Sequence, residues 1–90
     1  MNKQRRKDID QVISELMSID ILNIQDSIQM IIDEETEAHE MLPENMQESE
    51  RADTMQEAID SLEQAEHSAN EIEMAITDCF DLLEQAKGEL

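Results

Sequence analysis

The chain has 90 residues, 24 of them Asp or Glu and six Lys or Arg, for a net charge of −18. One aromatic (Phe80), one Gly (Gly88) and no Trp or Tyr argue against β-sheet. Between Asp8 and Ala86 there are 23 acids and one arginine, a body charge of −22, which disfavours direct binding to nucleic acid. Ala, Leu, Ile, Met, Glu and Gln dominate instead, so the composition predicts one all-α domain.

In chain order, a basic cluster comes first, Lys3, Arg5, Arg6 and Lys7. A helix is predicted over about residues 6–41. Met17, Ile21, Ile24, Ile28, Ile31, Ala38 and Leu42 follow a spacing of three and four, with Glu35 as the exception. Ile9, Val12, Ile13, Leu16, Ile19 and Met30 lie beside that row. Together they span an arc of roughly 220°, wider than the ~100° stripe that one neighbour covers. The surplus predicts a second partner, most simply another copy of the chain in a homodimeric four-helix bundle.

Leu42 precedes Pro43, the only proline, so the helix should stop near Met41. The connection is read as residues 42–49. Ser49 is a good N-cap, with Glu50 and Asp53 in the turn after it, and helix two is predicted over about 50–87. Lys87 supplies a cation to the last turn and Gly88 a terminating glycine. Along this helix Met55, Ala58, Leu62, Ala65, Ala69, Ile72, Ile76, Cys79, Leu83 and Ala86 form a 3–4 row, as in a coiled coil. A connection this short favours an antiparallel hairpin centred near residue 46. Ile76 would then meet Leu16, Leu83 meet Ile9, Ala65 meet Ile28 and Leu62 meet Ile31. Leu16, Ile19, Ile24, Ile28, Ile31, Leu62, Ile72, Ile76 and Leu83 are the expected core or dimer face.

No catalytic motif is present: there is no Gly-rich phosphate loop, no Gly-x-Ser-x-Gly and no Cys-x-x-Cys. The expectation is a protein that is not an enzyme and that carries no cofactor. Glu35 with His39, and Glu63 with His67, have helical i, i+4 spacing, but the Glu-x-x-His pattern of di-iron bundles is absent. The hairpin would also hold the two pairs more than ~20 Å apart. "DEETEAHE" (residues 33–40) lacks the glycine turn of a calcium loop, so no metal site is predicted. Cys79 reads as a small core residue, and Arg51 as the partner of Glu48 or of an acid ending helix one. No apolar run reaches the length of a signal peptide or a membrane span, and a lone Cys79 cannot pair internally, which together point to the cytosol and no membrane contact.

The succession "MNKQRRKDI", "DEETEAHEMLPENMQESER" and "AIDSLEQA" resembles a group of small acidic proteins of phages and prophages of Gram-positive bacteria. Pro43, Glu44, Gln47, Ser49, Glu50 and Arg51 carry most of the likeness. It implies a helical hairpin and a phage setting, the bacterial host cell, and no assigned site residues.

Two functions fit these features. One is DNA mimicry, in which the acids occupy the nucleic-acid groove of a host defence protein; Glu57, Asp60 and Glu63 are candidate contacts. Helices of about 36 residues, roughly 55 Å, give about one net negative charge per 3 Å for one copy and per 1.5 Å for two, against ~1.7 Å for duplex DNA. The other is a structural or assembly module docking on a phage or host protein through its apolar face or its connection, with Met46 and Arg51 as the contacts.

Overall fold

In the computed structural model, which describes residues 2–90, α1 runs Asn2–Met17, α2 Ile21–Glu40 and α3 Glu50–Glu89, with a 3-10 turn at Glu44–Met46. No strand occurs among these residues. The helix expected over residues 6–41 is therefore two helices, and the one expected over 50–87 continues through Gly88.

Local hydrogen bonding explains the break. The Ser18 hydroxyl donates to the Glu15 carbonyl at 2.6 Å, and the Ser18 and Ile19 amides close α1 on Glu15 and Leu16, each at 3.2 Å. Serine here offers the backbone an alternative to helix continuation. Asp20 then accepts from the Asn23 amide at 3.1 Å and caps α2. Here these two polar residues accompany the end of one helix and the start of the next.

The 42–49 connection is held equally locally. Met46 N–H donates to the Pro43 carbonyl at 2.8 Å, and the Gln47 side chain donates to the Leu42 carbonyl at 3.3 Å. Ser49 serves both sides. Its hydroxyl donates to the Met46 carbonyl at 2.6 Å and accepts from the Ala52 amide at 3.3 Å, the expected N-cap of α3.

Contacts step backward along α3 as they advance along α1 and α2. Near the start of α1, the Arg6 guanidinium donates to the Lys87 carbonyl at 3.4 Å and Asp10 binds Lys87 Nζ at 2.7 Å. Residues around 16–22 share a hollow with Glu73, Ile76 and Phe80, and Gln25 and Asp26 share a groove with Glu66 and His67. The result is a thin body of 72 × 15 × 13 Å. Its pairing follows the expected register along α2. In α1, Leu16 shares the hollow with Ile76 as expected, and Lys87, expected opposite Arg5, meets Arg6 through its carbonyl and Asp10 through its side chain.

The buried residues are Ile13, Ile21 and Ile32 on one side and Ala52, Ile59 and Ala69 on the other. They correct the expected seam of α3. Residues 55, 62, 69, 76 and 83 do face inward, but the alternate positions are Ala52, Ile59, Glu66, Glu73, Phe80 and Lys87. Ala58, Ala65, Ile72 and Cys79 are exposed, so Cys79 is not a core residue and Ala65 does not receive Ile28. The same one-residue shift occurs in α2. Ile21, Gln25, Ile28 and Ile32 turn inward, while Ile24 and Ile31 remain 48% and 49% exposed. Ile19 (51%) and Ile72 (50%) are likewise outside the core. Burying Ile59 and Phe80 removes more apolar area than burying Ala58 and Cys79 would, and long Glu side chains can border a core with their carboxylates in water.

Candidate functional site

Two opposed broad faces follow from this packing. Gln25, Asp26 and Gln29 of α2 and Glu63, Glu66, His67 and Asn70 of α3 line one open polar groove. In both helices these groove-lining positions lie to the same side of the inward row. At 100° per residue, Ile24 and Ile31 of α2 and Ala65 and Ile72 of α3 fall on the other side. One face is therefore polar and acidic, and the opposite one is mostly apolar or small, with Glu34 as its acid.

The acidic face has little internal neutralisation. Asp10 pairs with Lys87, and Glu71 lies 3.0 Å from His67; these are the ion pairs among the described residues. A few of the remaining acids accept from amides, as in Gln29 to Asp33 at 2.8 Å and Gln56 to Asp60 at 2.9 Å. Hydrogen bonding to Asp10 raises the pKa of Lys87 above the ordinary lysine value, and the attraction of the Asp10 charge adds to it. That pair fastens the start of α1 to the end of α3.

The structure separates the candidate residues. Glu57, Asp60 and Glu63 are all exposed, but a three-residue step winds them around α3, and only Glu63 borders the groove. It stands there with Asp26 and Glu66, which the sequence-based register sets opposite each other but which sequence reasoning did not single out, because the register alone does not say which face they line. Met46 is half-buried beneath the connection, whereas Arg51 is exposed and makes no ion pair among the described residues, contrary to the expected pairing with Glu48 or the end of helix one. His67 pairs with Glu71, one turn later, rather than with Glu63. No group of three His, Cys, Asp or Glu among the described residues is placed to hold a metal ion.

The break creates a second concavity. Leu16, Met17, Ile19 and Leu22 surround an open apolar hollow of about 250 Å³, floored by Ile76 and Phe80. It contains no nucleophile–base pair, and it belongs to the exposed apolar surface that α3 alone does not cover. No helix among the described residues is long and apolar enough to cross a membrane. Neither a known family, a curated protein nor a solved structure matches the chain.

Proposed function

We propose that the chain acts as an antiparallel helical hairpin, paired with a second copy in a four-helix bundle, that binds a nucleic-acid-binding host protein by presenting the charge of duplex DNA. The reading is non-catalytic, and the setting it fits is the cytoplasm of a phage-infected bacterium. The observation that carries it is the unneutralised acidic surface: among the described residues, one of the 24 acids, Asp10, pairs with a lysine, and one other, Glu71, lies against a histidine. A net charge of −18 over 72 Å is one charge per 4 Å for one copy, or one per 2 Å for two side by side. The longer body dilutes the charge relative to the sequence-based expectation, yet two copies still approach the ~1.7 Å spacing of duplex DNA.

A second reading rests on Arg51. It is exposed in the first turn of α3 and makes no ion pair among the described residues, and Met41, at the other end of the connection, is 75% exposed. These residues would anchor a docking module, with affinity concentrated in few contacts.

Affinity capture from bacterial lysate at 50 and 200 mM salt, with duplex DNA as competitor, separates the two. Mimicry requires the captured protein to leave with salt and with DNA, and with Glu57, Asp60 and Glu63 changed together to Lys, while Arg51→Ala retains it. Capture that resists DNA and salt and disappears with Arg51→Ala alone refutes mimicry and assigns binding to the connection.

A further inference from the structure

The apolar face opposite the acidic groove is a continuous feature of both helices. On α3 it comprises Ala58, Ala65, Ile72 and Cys79 at seven-residue intervals, all exposed. Beside them run Ser61, Ser68, Ala75 and Leu82 at the same interval, also exposed. On α2 the matching row is Ile24, Ser27, Ile31, Glu34 and Ala38. Of all these positions Glu34 alone is charged, in a chain where every third residue is. Four of them are large apolar side chains left about half exposed or more: Ile24, Ile31, Ile72 and Leu82.

We infer that this face is the docking surface for a second copy of the chain. The inference specifies the surface of the pairing proposed above, and it does not depend on DNA mimicry. Three observations select the occupant. The first is area. A folded monomer of 10.4 kDa is expected to expose about 5,400 Å², and this chain exposes 6878 Å², an excess of roughly 1,500 Å². A stable interface takes about 800 Å² from each partner, well within that excess.

The second is charge. Two copies at −18 each repel wherever their acids meet, so they can approach closely only through a surface poor in acids, and these rows carry one, Glu34. The third is shape. Ile24 and Ile31 form a ridge on α2, and Ala58, Ser61, Ala65 and Ser68 form a trough of small residues on α3. Such a face complements itself about a twofold axis parallel to the helices, which lays α2 of each copy on α3 of the other. Because Asp26 lies beside Glu66 within one chain, this axis brings Ile24 of one copy to Ser68 and Ala65 of the other. The acidic grooves then face outward on both sides of the bundle.

Sedimentation of the full chain and two single variants tests the assignment. Ala65→Glu places a carboxylate in the trough, and Asn70→Glu adds the same charge to the opposite groove. Both positions are exposed on a helix that Glu favours, so helicity by circular dichroism should be unchanged. The expected result at micromolar concentration is about 21 kDa, twice 10.4 kDa, for the wild type and Asn70→Glu. Ala65→Glu should sediment as a single chain, its dissociation constant raised at least about 100-fold. A wild type that sediments as one chain overturns the pairing itself, while the capture experiment with DNA competitor remains a separate test of mimicry. A dimer that survives Ala65→Glu, or that Asn70→Glu disrupts equally, overturns this face.

Discussion

The two lengths of chain on either side of Pro43 solve the same problem differently. Residues 2–40 form two helices with a break at 18–20, whereas Glu50–Glu89 form one helix of 40 residues without interruption. Apolar periodicity does not distinguish them, since both carry a sustained 3–4 repeat. The hydrogen bonds of the polar residues do. Ser18 and Asp20 terminate and cap, whereas Ser68 and Asn70, at the same spacing inside α3, leave the helix unbroken, and the Asn70 amide donates to Met74 Sδ one turn on at 3.8 Å. Hydrophobic spacing thus predicts that a segment is helical, but not that the helix is one piece.

Removing a buried side chain should show that both lengths rely on one core. Ile59→Ala, at a residue 5% exposed, should cost about 2–4 kcal/mol, read as a lower urea midpoint with little change in slope. Ile21→Ala, equally buried just after the break, should cost a similar amount. A much smaller loss at Ile21 would mean that α2 near the break contributes little and that the two lengths differ in stability as well as in continuity.

The caps sharpen the comparison at smaller cost. Asp20→Ala and Ser49→Ala each remove a side-chain acceptor from a helix start, and each should destabilise by about 1 kcal/mol. Their local signatures should differ. Hydrogen exchange should accelerate at residues 21–24 in the first variant and at residues 50–53 in the second. Acceleration spreading along all of α2 in Asp20→Ala would show that the cap, rather than packing on α3, maintains that helix.

The smallest effect is expected at the far end, where Lys87 holds α1. Its pKa is raised above the ordinary 10.5 by Asp10, so the stabilisation is complete below the unfolded lysine pKa and is lost as pH rises through the folded value. The pair is open to solvent, and its contribution to global stability should be slight. NMR shifts of α1 amides should move above about pH 10.5 in the wild type and stay flat in Lys87→Met. Equal movement in both would detach this contact from the placement of α1.

Much of the architecture was legible in the residues. Missing aromatics and glycines excluded sheet, Pro43 ended α2 within a residue or two, and Ser49 capped α3 as its side chain and the acids after it imply. The break was legible in principle, in Ser18 and Asp20, but the isoleucines around it dominate the periodic signal. The acidic groove was legible only in part. Centring the pair on residue 46 sets Asp26 opposite Glu66, 40 positions away, but it does not say which face of the pair they share.

By itself, then, the sequence determined helix type, the two helix ends that flank the connection and the presence of more apolar surface than one neighbour can cover. Tertiary structure alone decided which apolar row became the core. Rows one residue apart differ by only 100° of rotation and share every seventh position, so composition along α3 favours the row of Ala58, Ala65, Ile72 and Cys79, which has no charge. Packing chose the row with Ile59 and Phe80 and accepted Glu66 and Glu73 at its edge, because the area buried by two large side chains outweighs the neatness of an uncharged seam. The uncharged row was left on the surface.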